Sequence, residues 1–119
     1  MTSQGSAYAR FRRALQTGNA TVAWAAASEL PHVDLADALW LVTLIPTAER
    51  RYDWAAARWL GRFSVESSHI GLTETAEALK CLQDGLTGDA LQRLAAVSAH
   101  LGHQDVARTA LERARATGS

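Results

Sequence analysis

An all-α protein of about seven short helices is the fold class this sequence predicts, and three observations predict it. Alanine, the strongest helix former, supplies 24 of the 119 residues, and the two prolines, Pro31 and Pro46, both fall between segments of helical periodicity. No segment shows the apolar-polar alternation of a half-buried strand. The chain also echoes itself. Gly18-Asn19-Ala20-Thr21-Val22-Ala23 reads like Gly102-His103-Gln104-Asp105-Val106-Ala107, each preceded by an amphipathic segment and followed by an Ala-rich one. The unit is a helix, a tight turn and a second helix, which predicts antiparallel helix pairs stacked side by side.

The elements follow in order. Residues 1–6 read as a disordered tail. A first helix is predicted from Ser6 to about Thr17, with Tyr8, Phe11 and Leu15 on one face and Arg10, Arg12, Arg13 and Gln16 around the rest. Gly18 is its stop and Asn19 the N-cap of the second helix, Ala20 to Glu29. There Ala23, Ala26, Ala27 and Leu30 make a small-residue face, and Pro31 ends the helix. Asp34 caps a third helix, Leu35 to Ile45, with Asp37 in a capping-box position. Leu35, Leu39, Trp40, Leu41, Val42, Leu44 and Ile45 leave it no wet face, which predicts a central place.

Pro46 stops that helix, and Thr47 is the predicted cap of a fourth, extending to about Ser64. Tyr52, Ala56, Trp59, Leu60 and Phe63 share its apolar face. Residues 64–71 read as a mobile connection. Thr73 then caps a fifth helix with Leu72, Ala76, Leu79, Leu82 and Leu86 as its stripe, and Gly85 and Gly88 bracket the next turn. The sixth helix carries Leu91, Leu94, Ala95, Ser98 and Leu101; the seventh buries Ala107, Ala110, Leu111 and Ala114. The most apolar helices lie mid-chain and the terminal ones keep polar outer faces, as a finite stack requires. A compact orthogonal bundle demands the same stripes and is the alternative.

The bulk composition bounds the function. A chain of 119 residues reads as one domain, residues 1–119, large enough for an ordinary core. Twelve basic and twelve acidic residues cancel, which disfavours nucleic acid, whose binding rests on phosphate neutralisation. The single cysteine, Cys81, excludes an internal disulfide. The polar start, Met1 to Ser6, does not read as a signal peptide, and no apolar run approaches the roughly 20 residues of a membrane span. A cytoplasmic protein with no membrane association is the expectation.

Residues 91–114 resemble one tetratricopeptide-type helix pair. Leu94, Ala95, Gly102, Ala107, Leu111 and Ala114 stand where that family takes small or apolar residues. Ser98 replaces the usual aromatic, and the closing proline after Ala114 is missing. Residues 8–30 match more weakly, and HEAT-like pairs fit nearly as well. The resemblance implies a right-handed α-α superhelix used to bind proteins or peptides. The chain also resembles short actinobacterial proteins, a likeness that carries no activity.

One constellation stands out. Arg51, Trp54, Arg58 and Arg62 line one side of the fourth helix, and Trp54 lies one turn from both Arg51 and Arg58. A guanidinium can stack on the indole there, and Trp and Arg dominate interface hot spots. These four residues are the expected partner-binding face; a solvated face paired with local acids is the plainer alternative. Trp59 and Phe63 are assigned to the core, and Trp24 and Trp40 to pockets left by alanines. His100 and His103 flank a helix-breaking glycine, and Glu66-Ser67-Ser68-His69 is a lone Glu-x-x-His, so neither predicts a metal centre. Cys81 has no activating histidine at a diagnostic spacing, and no nucleophile elbow, phosphate loop or dinucleotide fingerprint is present.

The expected function is therefore a non-enzymatic protein-interaction or adaptor module without cofactor. Its partner is a protein or peptide, with a homodimer through an apolar face as an addition. The runner-up is a small nucleic-acid-associated regulator, suggested by the arginine stripe. Third is an all-helical enzyme with a site in the bundle core.

Overall fold

Three helix stops in this chain are built from one repeated turn. The computed structural model describes residues 3–117 and contains α1 (Ser3–Thr17), α2 (Ala20–Ser28), α3 (Leu35–Leu44), α4 (Arg50–Glu66), α5 (Leu72–Gln83), α6 (Gly88–His100) and α7 (Gln104–Ala116). No strand occurs among the described residues. After α1, the Gly18 N–H donates to the Leu15 carbonyl and the Asn19 N–H to that of Ala14; after α6, Gly102 and His103 do the same to Ala99 and Ser98. Gly85 and Leu86 repeat the pattern against Leu82 and Cys81 after α5. This is the paired hydrogen bonding of a Schellman stop, and Gly18, Gly85 and Gly102 all have the positive φ that it needs. The echo between the chain's ends is thus a shared helix stop that occurs a third time.

The starts are as local. The Asn19 side chain accepts the Val22 N–H at 3.0 Å, and the Thr87 hydroxyl accepts that of Ala90 at 3.2 Å. Three expected starts move. Helix α1 begins at Ser3, inside the stretch expected to be a tail; residues 1 and 2 lie outside the described residues. Helix α4 begins at Arg50 behind Glu49 and not behind Thr47, whose methyl packs toward Gly85. Helix α5 begins at Leu72 behind Gly71, whose N–H donates to the Glu74 carboxylate. Helix α4 also runs on to Glu66, which shortens the expected 64–71 connection. Within it Ser67 is buried and hydrogen-bonded to the Phe63 carbonyl.

Helices α3, α4, α5, α6 and α7 pack in sequence, and α7 then packs against α3. That last contact joins elements far apart in the chain and closes the five into a ring. Leu39, Trp59, Phe63, Leu91, Leu94 and Val106 fill the centre. Two buried polar groups tie the ring: Tyr52 Oη donates to the Leu82 carbonyl at 2.6 Å, and Trp59 Nε1 to that of Leu35 at 2.9 Å. The α1–α2 hairpin lies against α3, with Phe11, Ala14, Leu15, Ala23, Ala26 and Leu41 as a second core. The whole has a radius of gyration of 13.8 Å.

Neighbours, not periodicity, chose several faces. Helix α5 buries Ala78, Cys81 and Leu82, and turns Leu72 (90% exposed), Ala76 and Leu79 outward. Of the expected stripe, Leu82 and Leu86 are buried, whereas Leu72, Ala76 and Leu79 are not. Ala78 and Cys81 sit inside beside Leu82, small side chains filling the space between α5 and its neighbours. Leu111 is exposed while Val106 is buried, and Tyr8 is 46% exposed. Asp37 does not cap α3. It is buried, accepts Arg12 Nη1 at 2.7 Å and Tyr8 Oη at 3.2 Å, and so fastens α1 to α3.

Candidate functional site

Four arginine and tryptophan side chains from α2 and α4 form one ladder. The apolar face of α4 points into the ring, which leaves Arg51, Trp54, Arg58 and Arg62 on its outer side toward α2. The backbones of α2 and α4 do not pack against each other. Two indoles bridge the gap: the rings of Trp24 and Trp54 have centroids 5.4 Å apart and are tilted by 52°. The Arg51 guanidinium lies 5.6 Å from the Trp24 centroid, and that of Arg58 lies 4.7 Å from Trp54. Cation, indole, indole, cation follow one another, each contact of the kind that favours both partners.

The expected stacking on Trp54 is therefore present for Arg58, whereas Arg51 serves Trp24. Trp24 is the residue that the sequence reading missed. Expected in a pocket left by alanines, it does pack against both cores, yet it is only half-buried and its ring meets that of Trp54. Its position after Val22 and Ala23 on an Ala-rich helix carries no sign of this role, because the partner ring comes from another helix. Trp40 is likewise half-buried, with the guanidiniums of Arg12 and Arg113 at 5.1 and 4.3 Å from its ring.

Beside the ladder runs an open groove of about 470 Å³, between α2, the 29–34 link, α3 and α4. Trp24, Leu41 and Val42 line it, together with Trp54, Arg58 and Arg62. Trp54 remains 53% exposed. The three arginines differ in their partners. Arg51 pairs with Glu49 at 3.0 Å and Arg62 with Glu66 at 2.9 Å, whereas Arg58 has no ion-pair partner among the described residues. Arg62 Nη2 is buried without a hydrogen-bond partner there.

The other constellations resolve locally. Ser67 Oγ lies 2.8 Å from His103 Nε2. The serine's one proton goes to the Phe63 carbonyl, so His103 must donate from Nε2. The pair tethers the α4–α5 link to the start of α7. His100 is exposed, Glu66 is taken by Arg62, and His69 lies beyond α4 with φ of 95°. No group of three or more His, Cys, Asp or Glu is placed to hold a metal ion among the described residues. Cys81 is fully buried, and burial, against the nearby Arg93, pushes its thiol up to about 11. No helix among the described residues is long and apolar enough to cross a membrane.

No protein-family model, curated protein or solved structure matches the chain.

Proposed function

We propose that this chain is a non-enzymatic interaction module that docks a protein or peptide partner on Arg51, Trp54, Arg58 and Arg62, with Trp24 completing the face. One observation carries the reading. Trp54 is held between a second indole and a guanidinium, yet half of it stays open to solvent. A large ring already fixed in place loses little entropy on binding, which is what an interface anchor requires. The adjoining groove offers apolar surface next to cationic groups. The helix pairs α1–α2 and α6–α7, closed by the same turn, support the scaffold part of the reading, and the likeness to tetratricopeptide pairs belongs with α6–α7.

The test is covalent capture of partners in the native host with wild type beside Trp54→Ala. A partner lost with Trp54 supports the assignment, and identical partner sets remove it. Gel-shift titration at low salt addresses the nucleic-acid alternative, for which binding with a steep salt slope is required.

A further inference from the structure

The groove beside Trp54 has a sign. Arg58 and Arg62 stand one helical turn apart on its α4 wall, and no aspartate or glutamate lines it. Three other arginines meet acids: Arg93 reaches Glu77, Asp84 and Asp89 with three donors, Arg10 meets Glu29 with two and Arg12 meets Asp37 with one. In the groove Arg58 has no such acid, and Arg62 is satisfied only through Nε, with Nη2 buried and unpaired among the described residues. Arg58 in that state is complementary to a carboxylate, which takes two parallel N–H donors, and Arg62 adds a second cation beside it. Between the cations and α3 the surface is apolar, formed by Trp24, Trp54, Leu41 and Val42.

We propose that the groove receives an acidic peptide segment of a partner protein, with a large aliphatic side chain against the Trp24 and Trp54 rings and two carboxylates on Arg58 and Arg62. This rests on the docking reading given above. The spacing suits a peptide. Residues four apart on a helix have Cβ atoms about 5–6 Å apart. Carboxylates one turn apart on a helical partner, or two residues apart on an extended one at about 3.3 Å per residue, match that distance. The open side of the groove favours a segment lying along it, since enclosed small-molecule sites bury about 70–90% of their ligand. The chain's zero net charge supplies no long-range field for a phosphate backbone, so the attraction is local to these two arginines.

The experiment is selection from a random-peptide display library on the immobilised chain, followed by titration of the enriched peptides using the fluorescence of the chain's own tryptophans. Wild type is compared with Trp54→Ala, Arg58→Gln and Arg62→Gln, each first checked for native helix content. Enrichment of paired Asp or Glu beside Leu, Ile or Phe is expected. Affinity should fall about tenfold or more in either Gln variant, and equally when the peptide's acids are replaced by amides. Neutral or basic peptides, or acidic ones indifferent to both Gln variants, overturn the acidic-segment inference; if those peptides still need Trp54, the docking face stands and only its chemistry is wrong. Peptides indifferent to Trp54→Ala, or no enrichment, overturn both. A concentration-dependent dimer dispersed by Arg58→Gln would put a second copy in the groove and also overturn the inference.

Discussion

Trp24 and Trp54 meet from helices whose backbones do not pack, with ring centroids 5.4 Å apart. Trp59, one turn and a residue further along α4 than Trp54, is instead 2% exposed, stacks on Phe63 at 4.9 Å and donates Nε1 to the Leu35 carbonyl.

This contrast sets the first prediction. Trp54→Ala removes one aromatic pair and one cation–π contact at a half-exposed site, so it should lower stability by about 1 kcal/mol. Trp59→Ala opens the ring centre and removes the Nε1 hydrogen bond to Leu35, so about 3–5 kcal/mol is expected. Urea unfolding of both variants measures the difference. Equal losses would mean that Trp54 is a core residue.

The hold of the α1–α2 hairpin on the ring depends on Asp37. Asp37→Ala leaves Arg12 and Tyr8 without their acceptor, and a loss of about 1–3 kcal/mol is expected. Hydrogen exchange should quicken in α1 and α2 before it does in α4 or α6. Uniform quickening throughout would show that the hairpin has no separate hold.

Alkaline pH should unfold the protein through two buried groups. Burial pushes the Cys81 thiol from 9.0 to about 11, and burial with the nearby Asp53 charge pushes the Tyr52 hydroxyl from 10.0 to about 12. Both folded-state values are raised, so the fold favours the protonated forms. Their contribution is complete below pH 9.0, declines from there to about 11 through Cys81, and between 10.0 and about 12 through Tyr52. Stability against pH, followed by urea midpoints, should flatten over the lower range in Cys81→Ala and over the upper range in Tyr52→Phe. Unchanged curves in both variants would place the alkaline transition elsewhere.

The helix stops give a graded pair. Gly18 has φ of 75° and open space where a Cβ would sit, so Gly18→Ala meets only the left-handed penalty of about 1–2 kcal/mol. At Gly85, φ is 81° and a Cβ would lie 3.1 Å from Thr47 Cγ2, which adds crowding of about 1 kcal/mol. Thermal unfolding should rank Gly85→Ala below Gly18→Ala, and Thr47→Ala should recover part of the gap. Equal melting temperatures for the two glycine variants would show that the Thr47 contact relaxes at no cost.

Part of the candidate site was legible before any fold was known. Trp54 and Arg58 lie one turn apart on a single helix, so their stacking follows from helical spacing alone. Trp24 was not legible, since it reaches Trp54 from another helix. Nor was the distinction among Arg51, Arg58 and Arg62, because it depends on where Glu49 and Glu66 point and on which guanidinium borders the groove.

Local chemistry in the chain itself settled the all-helical class, the seven segments, the glycine stops, and the inward place of Phe11, Leu15, Trp59, Phe63, Leu91 and Leu94. A cap, a positive φ or a large ring in a periodic stripe acts within a few residues, so sequence carries it. Which stripe of α5 faces inward, the meeting of α3 with α7, the diversion of Asp37 from a cap to a clasp, and the pairing of Trp24 with Trp54 were decided only when the helices packed. Each of these compares alternatives nearly equal for an isolated helix, and the difference comes from the size and charge of neighbours that the chain brings from far away.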